Sequence, residues 1–304
     1  MGLGLLFPGQ GTQHPDMLPW LEQAPAAVPA LRRLADAVGP AWRGRLADAA
    51  WATANAVAQP LLTAVNLAAW QALAPRLPPP IAIAGYSVGE VAAFAAAGVY
   101  DASTAMDIAV QRASAMDVAG AAASTGLLSV QGLPTDRLGP ACQRFGLLPA
   151  ILLDPEHTVV GGPRDALARA QTAFETLGAR CTPVAVQIAS HTAWMAAALP
   201  LLQAAVAPLV FRRPACAVVL NATGESERQP AALRQALVAQ IAQPVPWQRC
   251  MDTLYERGVT RMLEVGPGTT LKRFWERRHP DVPVRSLEDF QSLDGIVRWA
   301  AEAR

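Results

Sequence analysis

Apolar and polar residues run along this chain in blocks whose period changes, and the period predicts the element. GLGLLF at the start is an unbroken apolar stretch of strand length. It halts at PGQGTQ, where Pro8, Gly9 and Gly11 force a loop with exposed backbone. AAVPALRRLADAVG and QPLLTAVNLAAWQALAPRL then carry apolar residues near helical spacing. In the second, Leu62, Val65, Leu67, Ala69 and Leu73 predict an amphipathic or largely buried helix. PPPIAIAG reads as a short strand, and VGEVAAFAAAGVY as a helix that begins directly after Ser87. DASTAMDIAVQRASAMDVAG adds a helix with Asp101 or Ser103 as its N-cap.

Near Gly126 the pattern changes. GLLSVQGL, PTDRLGPACQRFG, LPAILLDPEHTVVGG, PRDALARAQTAFETLG and ARCTPVAVQI read strand, helix, one or two strands, helix, strand, with glycines ending both helices. That order is a split βαβ, ferredoxin-like unit. Beyond it, SHTAWMAAALPLLQAAVAPL reads as helical, CAVVLNATG as a strand and PAALRQALVAQIAQ as a helix. RMLEVGPGTTLKRFWERR reads as strand, glycine turn and helix. The expectation is an α/β protein in which residues 1–124 and 190–304 form one large domain with a parallel-sheet core. Residues 125–189 form a small inserted domain.

Composition narrows the class. The 304 residues are 52% hydrophobic and 16% charged, enough for a sizeable core, yet no apolar stretch reaches the roughly 18 to 20 residues that span a bilayer. The apolar start lacks a basic leader and a small-residue cleavage site, so a cytoplasmic location is the default. Twenty-five basic residues against 24 acidic ones give no global field for nucleic acid or an anionic membrane. LKRFWERRHPDVPVR is the one basic cluster. Cys142, Cys181, Cys216 and Cys250 show no paired spacing, which argues against zinc or a disulfide framework and for buried free thiols.

Four features carry candidate chemistry. In IAIAGYSVGEVAAF, a strand runs through G-x-S-x-G into a helix, the arrangement of a nucleophile elbow. Its glycines relieve crowding, and Val88 at the helix start offers an amide to an oxyanion. The plain alternative is a glycine-rich turn with a capping serine. A serine needs a base, and His14, His157, His191 and His279 are the only histidines. His191, where the chain re-enters the large domain and starts a helix, is the best placed, although each could be exposed or capping. Arg112, in the otherwise apolar or small run AMDIAVQRASAM, either offers its planar fork to a carboxylate or is an exposed partner of Asp107 or Asp117. The FPGQG loop either shapes a turn or lines an anion site.

Six motifs in order cover nearly the whole chain: FPGQGTQ at Phe7–Gln13, GYSVGE at Gly85–Glu90, QR at Gln111–Arg112, SH at Ser190–His191, LVAQIAQPVPW at Leu237–Trp247 and EVGPG at Glu264–Gly268. Together they resemble the malonyl-CoA:acyl-carrier-protein transacylases. The resemblance implies an α/β-hydrolase-like large domain, a Ser87 nucleophile, a His191 base and an imidazole oriented by the backbone carbonyl of Gln240. It also implies an oxyanion hole from the amides of Gln10 and Val88, and Arg112 as the partner of the malonyl carboxylate. Malonyl-CoA would be a substrate, with no permanently bound cofactor or metal. The partner would be a carrier protein with a phosphopantetheine-type arm, served by a monomer.

Two departures stand out. The family has histidine where Tyr86 precedes the nucleophile, and an asparagine-rich segment where this chain reads AILLDPEHTVVGG. Both point to a specialised branch. They bring in a narrower resemblance to the transacylase subunit of malonate decarboxylase, which would work beside the other subunits of that enzyme. A fatty-acid or polyketide transacylase, a serine hydrolase or thioesterase, and a non-catalytic acyl-binding subunit are the competing readings. A hydrolase of neutral esters has no use for a buried Arg112, and a decayed subunit has no reason to retain Ser87 and His191.

Overall fold

The computed structural model describes residues 2–302. It is a mixed α/β fold with two sheets. The larger has six strands in the order β10-β9-β1-β2-β7-β8. These are β1 (Leu3–Phe7), β2 (Ala82–Gly85), β7 (Ala217–Val219), β8 (Ser226–Glu227), β9 (Arg261–Glu264) and β10 (Val284–Ser286). All neighbours pair in parallel except β7 with β8. Every residue of β1, β2, β7 and β9 is buried, as expected of parallel strands covered by helices on both faces. The helix Asn55–Leu73 is buried around most of its circumference, and its predicted apolar stripe is part of that interior.

The smaller sheet is antiparallel, in the order β4-β5-β3-β6, from β3 (Thr125–Gln131), β4 (Leu148–Asp154), β5 (His157–Pro163) and β6 (Arg180–Pro183). The helices Thr135–Phe145 and Arg164–Thr176 pack on it around their own apolar cluster, with Phe174 fully buried. β4 at the edge of this sheet is tied to the segment that precedes the helix Trp247–Glu256. Leu152 N–H donates to Val245 O at 2.9 Å and Val245 N–H to Ala150 O at 2.9 Å.

Asp101 caps the helix Ala102–Gly120 by accepting the Thr104 N–H at 2.7 Å. Past His191 the expected helix is delayed: a single turn at Ala193–Met195 comes first and the helix proper runs Ala198–Val206. The basic cluster is largely paired, with Lys272 on Asp289 and Arg278 on both carboxylate oxygens of Asp252. Cys142, Cys216 and Cys250 are buried free thiols, while Cys181 is only half-buried. Among the described residues no helix is long and apolar enough to cross a membrane, and no cluster of three metal-ligating side chains occurs.

Candidate active site

β2 delivers the chain to Ser87, and the helix Gly89–Ala96 carries it away. The turn between them is tight. A Cβ on Gly85 would lie 2.1 Å from the backbone carbon of Gly89, and one on Gly89 would lie 2.1 Å from Phe7 O on the neighbouring strand. Only glycine fits either place. Ser87 itself has φ +55°, in the left-handed region. His191 has φ +62°, and Leu18 is the one other non-glycine residue with positive φ among those described. Strained backbone of this kind gathers at functional sites.

Those two strained residues meet. Ser87 Oγ lies 2.8 Å from His191 Nε2, and His191 Nδ1 lies 2.7 Å from Gln240 O. A carbonyl only accepts, so Nδ1 carries the ring proton and Nε2 is the acceptor for the serine hydroxyl. The imidazole is fully buried. Burial first, then the Arg112 charge, lower its pKa to about 3 against the pull of Gln240, so it is neutral at neutral pH.

Arg112 is wholly buried behind the serine. Its Nη1 donates to Gln59 Oε1 at 2.7 Å, and Nη2 has two long contacts of 3.4 Å, to Ser87 Oγ and Gln240 Oε1. Among the described residues Nε has no partner, nor has Gln240 Nε2. The edge formed by Nε and Nη2 is thus the less satisfied one, and that edge fits a carboxylate side-on. Burial lowers the guanidinium pKa to about 10, which leaves it charged at neutral pH. The surface ion pair considered for Arg112 does not form: Asp107 pairs with Arg33, and Asp117 accepts from Asn55 Nδ2 at 2.7 Å.

Gln10 and Val88 flank the serine from the loop after β1 and from the helix start. Among the described residues neither backbone N–H donates to a protein acceptor. Ser87 N–H, by contrast, is taken by Asn221 Oδ1 at 2.8 Å.

Gln10, Ser87 and His191 open on a cavity of about 240 Å³ whose far wall is the small sheet: Leu127, Ser129, Ile151, Leu153, His157 and Val159. Ser129 Oγ and His157 Nε2 are 2.8 Å apart on that wall. Tyr86 also lines it, its ring edge-on to Trp247 at 5.0 Å and tilted against Phe274 at 6.5 Å, while His157 meets Phe274 at 6.2 Å. The two departures noted in the sequence therefore converge on one ring. Gln59, Asn221 and Ser129 were not singled out in the sequence. A glutamine in a buried helix face was a signal for Gln59; Ser129 had none.

A family model for the acyl transferase domain matches residues 5–288. The malonyl CoA-acyl carrier protein transacylase of Mycobacterium bovis is 35% identical over 301 residues, covering 97% of this chain and 99% of that protein. Among solved structures, the malonyl-CoA:acyl carrier protein transacylase of Xanthomonas oryzae superposes with a TM-score of 0.90 at 29% identity, over 98% of this chain and 99% of that one. A malonyl-transacylase solved in complex with a type II polyketide acyl carrier protein gives 0.89 at 28%, with 98% and 99% covered. The matched residues, the share of each chain covered and the shared fold agree: the chain belongs to the acyl transferase family, among its malonyl CoA-acyl carrier protein transacylases.

Proposed function

We propose that the protein moves a malonyl group from malonyl-CoA to the thiol of an acyl carrier protein through an ester on Ser87. The observation that carries this is the 2.8 Å contact between Ser87 Oγ and a neutral His191, beside a buried arginine with an open edge. In the first half-reaction the hydroxyl proton passes to His191 Nε2 as Oγ attacks the thioester carbonyl. The amides of Gln10 and Val88 receive the oxyanion, and the C–S bond breaks as Nε2 returns the proton to the leaving CoA sulfur. In the second half, Nε2 takes the proton of the carrier thiol, the sulfur attacks the serine ester, and Oγ leaves with that proton. Gln240 O keeps the ring in the required tautomer. The Nε–Nη2 edge of Arg112 holds the free malonyl carboxylate.

The sheet orders support the finer architecture: an α/β-hydrolase-like domain from 1–124 and 190–304, and a ferredoxin-like domain at 125–189 whose strands follow the order β4-β5-β3-β6. A cytoplasmic monomer and a malonate decarboxylase carrier as partner belong to the same proposal, the latter resting on Tyr86 and the 150–162 segment. Incubation with labelled malonyl-CoA is expected to give a covalent ester that Ser87→Ala lacks. The ester should transfer to a carrier thiol and persist without one; rapid hydrolysis in the absence of carrier would instead identify a thioesterase. Offering carriers with phosphopantetheine or with phosphoribosyl-dephospho-CoA arms decides the pathway.

A further inference from the structure

We propose that Asn221 is the positioning residue of the serine elbow: it holds Ser87 in its left-handed conformation and reserves the oxyanion for other amides. The proposal rests on Ser87 being the nucleophile, the reading given above. Asn221 lies just past the carboxyl end of β7, the strand next to β2, and is fully buried. Its Oδ1 accepts the Ser87 N–H at 2.8 Å. Its Nδ2 donates to Gly85 O at 2.6 Å and to Glu90 Oε1 at 3.0 Å, and its backbone N–H donates to the same Glu90 oxygen at 2.7 Å.

One side chain thus grips the peptide groups on both sides of Tyr86 and anchors them to the helix that follows. A non-glycine residue at φ +55° persists only where its surroundings over-determine it, and these bonds do so. The orientation is forced. Oδ1 faces a donor, while Nδ2 faces a carbonyl and a carboxyl oxygen, so a flipped amide would mismatch every contact. Because the Ser87 N–H is consumed, it is not an oxyanion donor, and that task falls to Gln10 and Val88. No protein group besides Asn221 takes the Ser87 N–H among the described residues.

Asn221→Ala removes the grip. Asn221→Asp keeps the shape and the acceptor for Ser87 N–H but sets an acceptor against Gly85 O. The direct readout is phosphonylation of Ser87 by a small fluorophosphonate, in which the Oγ–P bond forms, fluoride leaves and the proton passes to His191. Displacing a nucleophile costs on the order of 10²-fold. Both variants are expected to react at least about tenfold more slowly than the parent, and the kcat for malonyl transfer should fall by a similar factor with KM for malonyl-CoA little changed. Folded variants that react at the parental rate overturn the proposal. A parent that is phosphonylated but not loaded by malonyl-CoA would instead overturn the malonyl reading and leave Asn221 its role. If the variants do not fold, amide exchange in the parent decides: Ser87 N–H should exchange at least about 10²-fold more slowly than Gln10 N–H, and equal rates overturn the proposal.

Discussion

In the proposed mechanism Arg112 is the side chain that chooses the substrate. A guanidinium taken wholly out of water must be compensated, and here Gln59 satisfies one end while Nε has no partner among the described residues. On that proposal a malonyl group brings a carboxylate to the free edge, whereas an acetyl group brings a methyl and leaves the cation unpaired. Charged hydrogen bonds are worth about 1.5–3 kcal/mol each, so Arg112→Ala is expected to lower malonyl loading by about 10²-fold or more. Acetyl loading should hold or rise. Arg112→Lys keeps the charge but loses the planar fork, and should fall between the two. Intact-protein mass spectrometry of the acyl-serine ester with each CoA thioester measures this, and an unchanged ratio of malonyl to acetyl would refute the clamp.

At the scale of elements, the elbow works because a strand and a helix are brought closer than side chains permit. Gly89 at the helix start abuts Phe7 O of β1, so Gly89→Ala forces the helix backbone away from the strand rather than displacing a flexible side chain. The expected cost is about 3 kcal/mol or more, seen as a lower melting temperature and slower serine acylation, whereas Gly44→Ala, with open space around it, should leave both within error. That crowding is why the elbow was legible in the letters GYSVGE: local geometry dictates the glycines. The helix Ala102–Gly120 was legible too, but not the partner of Arg112. Asp107 and Asp117 are each five residues away, about 140° around a helix of 3.6 residues per turn, and so face elsewhere. The Ser129–His157 pair was invisible for a different reason. It depends on the antiparallel register of β3 and β5, in which Gln131 stands opposite His157 and Ser129 opposite Val159. His191 was found as a candidate, yet its positive φ was not, because that conformation is imposed by bonds its N–H and ring make to Ile241 and Gln240, some 50 positions on.

Across the whole molecule, buried polar groups collect at the carboxyl ends of the parallel strands, where α/β sheets place their ligands. Asn221 follows β7, Glu90 follows the β2 turn, and Glu264 ends β9, where it accepts the N–H groups of Leu271 at 3.1 Å and Lys272 at 2.8 Å. Concentrating carboxyls in the interior makes stability depend on pH. Burial raises Glu90 to about 7 and Glu264 to about 8, outweighing the hydrogen bonds that favour their charged forms. Below an ordinary carboxyl pKa of about 4.5 both states of the protein hold these protons. Above it the unfolded chain releases them first, so the stability each contributes is lost as pH rises through about 7 and about 8. His191, with its pKa lowered to about 3, acts in the opposite sense: its contribution is present above about 6.5 and lost as pH falls from there. His157 and His279 are lowered as well and share that sense. Between pH 7 and 8 these three histidines are mostly neutral in both states, and the two carboxyls set the sign. The melting temperature is therefore expected to fall across that interval, as the unfolding free energy declines by at most about 1.4 kcal/mol per pH unit for each group. Glu264→Gln, which cannot ionise, should remove a large part of the decline while leaving the malonyl-to-acetyl ratio unchanged. Thermal melts of parent and variant at a series of pH values test this, and a parent whose melting temperature rises from pH 7 to 8 would show that both carboxyls are ionised in the folded protein.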